Sequence, residues 1–314
     1  MRFVAQITLL AVLGCGRAEL SHLDTTTSCE GLVARQVDPI HRMEVLDERV
    51  YWADMSVLWS VPSCGGDVQE VDYPGRNVDV VDATLFWTSF EGAHFLTRDV
   101  ETSLPLDDWP SSAAYDGDAV YFRPQLGDIA SARREDGRTN VRWLSDDPGD
   151  VVGVDDRFVY LGDRAKLKRV PKAGGDVEAI REVEPSDLVE RWIIGPGVAL
   201  RPRNTCPRTT CSSFQPIVPD EFIAHLDRVD LSDGTTRTLL ALERDVIFDV
   251  VVRGSRIYVA TAKQVLTIEA DGSTRTILDR GAGVIAVEDD ALYTTAPQLS
   301  DTLVPVDIVR HSLR

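Results

Sequence analysis

VYWAD, residues 50–54, sets two aromatics ahead of an acid. Taken alone, the stretch looks like part of a site. Aligned against the rest of the chain it has kin: LFWTS (85–89), VYFRP (120–124), VYLGD (159–163), IYVAT (257–261) and LYTTA (292–296). The shared aromatics are Tyr51, Phe86, Tyr121, Tyr160, Tyr258 and Tyr293, at intervals of 35, 35, 39, 98 and 35 residues. Each copy follows a short polar turn, such as Asp47-Glu48, Asp155-Asp156 or Asp289-Asp290. Most turns follow another short apolar run, such as VVGV (151–154) or VIAV (284–287). The long interval should hold one more copy, and LVERWIIGPGVALRP (188–202) supplies it, with Val198 in the place of the tyrosine. That makes seven units.

Each unit then continues through a third strand, a glycine turn and a fourth strand. KLKRVPKAGGDVEAI (166–180) is the clearest case, and LWSVPSCGGDVQEV (58–71) is its cognate. The glycines suit hairpin turns that need positive φ. Alternating apolar and polar residues suit half-buried strands. Four antiparallel strands per unit at this period predict an all-β chain folded as a β-propeller, with seven blades. A strand solenoid would show shorter repeats, and six blades result if the weak fifth unit is irregular. The last unit lacks a fourth strand, and EGLVARQV (30–37) precedes the first unit without a partner. We expect this N-terminal strand to close the last blade and cover the ring's seam.

The VYW strand and the RVPKAGG turn resemble the YWTD-, NHL- and TolB-like propeller repeats of bacterial lipoproteins. The resemblance covers nearly the whole chain after residue 28. It implies architecture rather than activity, because this scaffold hosts many functions.

The N-terminus fits the same setting. Arg2 precedes an apolar run from Phe3 to Leu13 that is too short to span a bilayer and suits the core of an export signal. Val12-Leu13-Gly14-Cys15 resembles the bacterial lipobox. That resemblance implies acylation of Cys15, removal of residues 1–14, and a polar tether over 15–28. Gly16 after the cysteine, rather than Asp, implies the outer membrane by the same likeness. A plain secretory signal or a buried first strand is the competing reading. Residues 29–314 then form the propeller, with a loop insertion at 203–220.

The full chain carries a net charge of −18, and 32 basic against 51 acidic residues remain once Arg2 is removed with residues 1–14. This acidity argues against nucleic acid as a partner. Five cysteines leave four besides Cys15. Cys206 and Cys211, in CPRTTC, would close a small loop, and Cys29 and Cys64 form the remaining pair. On the expected ring, Cys29 and Cys64 fall on the same face of neighbouring blades. A zinc site competes, but the five histidines are scattered singly.

In such a ring, loops joining second to third strands share one face with the loops joining blades. Asp54, His94, Asp128, Asp163, Arg164 and Lys263 are expected there, with Trp109, and with Arg208 and Phe214 from the insertion. Disulfide-pinned loops on a rigid scaffold are where binding function gathers. The paired acids of the turns read as turn chemistry, with calcium as the rival. The chain has no G-x-S-x-G elbow, zinc-binding H-E-x-x-H or P-loop, and no motif asks for a cofactor. His94 or His225 could serve as a general base, though packed histidines are commoner. The sequence therefore predicts an envelope-anchored binding module for a protein, peptide or glycan. The alternatives are a hydrolase or lyase at the channel mouth, or a scaffold subunit of an envelope complex.

Overall fold

The computed structural model describes residues 29–36, 39–54, 57–72, 76–98, 100–125, 127–136, 138–163, 166–182, 192–206, 217–299 and 306–313. Seven four-stranded antiparallel sheets stand around one axis. The fold is a seven-bladed β-propeller. From the axis outward, blade one takes Arg42–Leu46, Arg49–Ala53, Leu58–Pro62 and Gln69–Asp72. Blade two takes Arg76–Val81, Thr84–Ser89, Gly92–Thr97 and Val100–Pro105. Blades three and four follow the same order from Pro110–Tyr115 and Asp150–Val154. Blades five and six start at Ile193–Gly195 and Ile247–Arg253.

Blade seven is built from both ends of the chain. Ile285–Glu288, Ala291–Thr294 and Val306–Ser312 are its first three strands, and Gly31–Gln36 pairs antiparallel with the third. The predicted N-terminal strand therefore closes the ring, and the last blade has no bare outer edge at that point.

The period of two along a strand explains the repeated aromatics. In the second strand of blade one, Val50 and Trp52 face blade seven and pack with Tyr293 and Ile308. Tyr51 and Ala53 face blade two and pack with Leu85 and Trp87. Every aromatic of the repeat faces the following blade in this way: Phe86 meets Phe122, Tyr121 meets Leu161, Tyr160 meets Ala199, and Tyr258 meets Leu292. The core is thus seven inter-blade layers. A fully buried side chain of this size contributes about 1.5–3 kcal/mol.

Blade five corrects the sequence reading. Val198 pairs with Gly195 directly across the hairpin turn, whereas Leu200 packs against Val259 and Leu266 of blade six. Leu200, not Val198, stands where the other blades carry the aromatic. The turn at Pro196-Gly197 is as short as those of blades one, two, six and seven, where the aromatic likewise stands two residues past the first paired one.

The turns follow local chemistry. Asp47-Glu48 and Asp82-Ala83 adopt positive φ without glycine, the left-handed pair that a two-residue hairpin requires. Gly65-Gly66 and Gly174-Gly175 do the same in the outer turns of blades one and four. There Gly65 and Gly174 each donate to the carbonyl of the preceding Pro62 or Pro171, at 2.8 and 2.7 Å.

Candidate functional site: the upper face and the axis

We call the face that carries the loops between second and third strands, and the loops between blades, the upper face. The predicted site residues divide there. Asp128 and Asp163 are exposed at it, and Lys263 pairs with Asp220 at 2.7 Å. Trp109 packs against Phe90 with ring centroids 4.0 Å apart, and Phe90 is 57% exposed. Phe90 was not singled out in the sequence, although it occupies a loop beside a predicted site residue. Arg164, Arg208, Phe214, Cys211 and Cys15 lie outside the described residues.

Two expected loop residues are buried instead. His94 lies inside the third strand of blade two, because the turn is only Phe90-Glu91 and the strand begins at Gly92. Its ring stacks on Trp87 at 5.2 Å, and its Nε2 lies 2.7 Å from Ser89 Oγ. Asp54 is 5% exposed. Its carboxylate accepts from the Val57 N–H at 2.7 Å, Trp59 Nε1 at 2.7 Å and Gln36 Nε2 at 3.0 Å. Gln36 belongs to the closing strand, so Asp54 ties blade one to blade seven at the upper end of the seam.

The insertion is rooted in several blades. The second strand of blade five runs to Thr205, so the expected start at Arg203 is strand. Asn204 exchanges two hydrogen bonds with the backbone of Ile247 in blade six, at 2.8 and 2.9 Å. Cys206 is disulfide-bonded, to a partner outside the described residues, and packs with Phe222 and Val246. On the return, Ile217 donates to the Leu299 carbonyl of blade seven at 2.8 Å. The described ends of the insertion therefore rest on blade six, through Asn204 and Cys206, and on blade seven, through Ile217.

On the lower face, Cys29 and Cys64 are bonded, with Cα atoms 5.2 Å apart. The bond joins the start of blade seven's outer strand to the outer turn of blade one. Arg310 donates to the Cys29 carbonyl at 3.0 Å and to the Tyr293 hydroxyl at 3.1 Å beside it. The lower hairpin acids serve their own turns. Asp155 accepts from the Arg157 and Phe158 N–H groups, each at 2.8 Å, and from the Tyr160 hydroxyl at 2.5 Å. Burial pushes the Asp155 carboxyl up, but these hydrogen bonds outweigh it and hold the group below the usual range. Asp116 is depressed in the same way, against its own burial, by backbone N–H groups and Lys172 of the next blade. Among the described residues, no three His, Cys, Asp or Glu side chains converge to hold a metal ion.

A cavity of about 850 Å³ occupies the axis. Arg42 stands in its wall, 2.7 Å from Glu44 and 3.4 Å from Asp79 of blade two. Burial opposes the guanidinium charge, but Glu44, Asp79 and Asp249 raise its pKa further still.

No protein-family model and no curated protein matches the chain. Solved structures match it in shape. The extracellular domain of BT4673 from B. thetaiotaomicron superposes with a TM-score of 0.54 at 11% identity, over 90% of this chain and 39% of that one. PorZ, a bacterial surface component of the type-IX secretion system of Porphyromonas gingivalis, gives 0.56 at 11% identity, over 90% and 38%. The Cps50 (Swd1) β-propeller domain from Myceliophteria thermophila gives 0.55 at 9% identity, over 89% and 99%. At these identities the likeness is one of fold. The chain spans about two-fifths of the first two proteins.

Proposed function

We propose that the protein is an exported binding module, anchored through Cys15 to the outer membrane, that engages a protein, peptide or glycan with its upper face. The observation that carries this reading is the division of labour between the two faces. The lower face holds the Cys29–Cys64 bond and is closed by short turns that satisfy their own side chains. The upper face bears the insertion that follows Thr205, whose described ends rest on blades six and seven, and an aromatic pair, exposed Phe90 packed on half-buried Trp109, across the axis at blades two and three. Aromatic side chains of this kind are favoured anchors in interfaces. Two disulfide-bonded positions, Cys29–Cys64 and Cys206, support an oxidising compartment. It is in keeping with this that BT4673 contributes an extracellular domain and PorZ is a surface component.

The test has two arms. Cys15→Ser should move the protein from the membrane fraction to the soluble exported fraction; unchanged membrane association would refute the anchor. In quantitative cross-linking on intact cells, Phe90→Ala with Trp109→Ala, and separately a deletion of 207–216, should each deplete the partners captured by the wild type. The deletion leaves the strand through Thr205 and the short helix Pro219–Glu221 intact. Retention of every partner by both variants would overturn the upper-face reading.

A further inference from the structure

Blade three ends in a long bare edge. Among the described residues, its outer strand, Arg138–Ser145, pairs only with the third strand, Ile129–Glu135. The register is unbroken from Arg138 opposite Glu135 to Trp143 opposite Ala130, and it shifts only at the upper end. Eight residues without proline or lysine thus turn one side of their backbone to water, as a template for a further strand.

The two faces of this strand differ. Thr139, Val141 and Trp143 stand opposite Arg134, Ala132 and Ala130, and so lie on the side of blade two. The layer between blades two and three is closed further in, at Leu104 and Ala130, but Val141 is 36% and Trp143 60% exposed. Val100, on the facing side of blade two's outer strand, is 62% exposed. The other face carries Arg138, Asn140 and Arg142, on the side of blade four, where Arg142 donates to the Ala173 carbonyl. Among the seven described outer strands, this is the one with two basic residues and no acid. The side chains of Arg134 and Arg138 are exposed and form no ion pair among the described residues. In a chain of net charge −18 this is a local reversal of sign.

These features specify an occupant. A strand added along the edge sets each of its side chains beside one on the same face. On one face that neighbour is valine or tryptophan, and on the other it is arginine. Two copies of this chain paired antiparallel would set arginine beside arginine, which opposes self-association. We propose that the outer strand of blade three receives an extended segment of another protein, alternating apolar and acidic residues, as a fifth strand. Its backbone completes the ladder, its apolar side chains cover Val141 and Trp143, and its carboxylates meet Arg138 and Arg142. This edge lies on the flank of the ring, so the inference does not depend on the upper-face reading.

The probe is an end-blocked heptapeptide of alternating valine and glutamate, titrated calorimetrically into the full folded chain. Its lysine-for-glutamate form and its backbone N-methylated form are the controls. The glutamate peptide should bind, with each control about tenfold weaker or worse. On binding, amide hydrogen exchange should slow within Arg138–Ser145. Arg138→Glu and Trp143→Ala should each weaken binding about tenfold while melting as the wild type does, because both side chains are exposed. Arg138→Glu should also narrow the gap between the glutamate and lysine peptides. Absence of binding, equal binding of either control, protection confined to other strands, or unchanged affinity in both variants would overturn the proposal. A wild type that sediments as a dimer, and as a monomer once Trp143→Ala is made, would overturn it in favour of a second copy. Phe90→Ala with Trp109→Ala should bind the peptide as the wild type does; a loss there would place the peptide on the upper face and overturn the proposal.

Discussion

Asp54 serves stability, and its loss should be measured as such. Three donors converge on a carboxylate that is almost fully buried, one of them from the closing strand. Asp54→Ala would leave the Trp59 indole and the Val57 N–H without their acceptor, at about 1–3 kcal/mol for a buried donor. We expect that loss in urea unfolding, and an unchanged midpoint would mean that the three donors find other partners. Gly92 makes a second residue-scale case. Its φ is +139°, and an added Cβ would lie 2.2 Å from the Leu104 carbonyl oxygen and 2.9 Å from the Leu106 nitrogen. Both neighbours are backbone and cannot rotate away. Gly92→Ala should therefore cost more than about 2 kcal/mol, readable as a fall in thermal midpoint. VYWAD itself was legible as a repeat because Val50, Tyr51 and Trp52 alternate between two inter-blade layers. The burial of Asp54 was not legible, because its donors come from residues 36, 57 and 59, and only ring closure brings the first of them near.

At the scale of elements, the alternation within second strands was the readable signal. Trp52 and Trp87 face the preceding blade and are fully buried, as periodic packing predicts. Trp87→Ala should destabilise by about 3–5 kcal/mol, since the cavity would lie between two rigid sheets. Blade five escaped this logic because a leucine replaces the aromatic, which left Leu200 without the marker that fixes the same position in blades one, two, six and seven. His94 escaped it because a two-residue turn and a four-residue turn cannot be told apart from composition alone. The axial wall was the least legible part. The inner strands of blades two, three, four and six carry register shifts where they pair with the second strand. Such bulges re-aim side chains in a way that pattern reading cannot anticipate. Of the acid pairs, Asp155 was readable as turn chemistry, since it uses its carboxylate on its own turn, whereas Asp290 pairs with Arg310 of the neighbouring strand.

For the molecule as a whole, acidification should weaken the fold in two stages. His225 and His311 have pKa values lowered chiefly by burial, so the unfolded chain takes up their protons first, and stability falls as pH drops below about 6.5. Asp116 and Asp155 are also depressed, so their contribution is present above about 3.8 and is lost as pH falls further. Glu288 runs the other way: burial raises it, so its contribution is lost as pH rises through its folded value. Unfolding midpoints recorded from pH 8 to 3 should show the two declines, and a flat profile would contradict the assignment. The ring's closure sets a further property. Cys29→Ser with Cys64→Ser should lower stability by about 2–4 kcal/mol, because the bond closes a separation of 35 residues. The bond also decides how the molecule answers a mechanical pull. Tension applied through the segment before Cys29 reaches blade one covalently, at Cys64, and so bypasses the hydrogen bonds that hold Gly31–Gln36 to blade seven. With the bond intact, the closing strand is shielded from peeling. Without it, that strand is the first element to bear the load, and optical-trap extension should show the ring opening at a lower force.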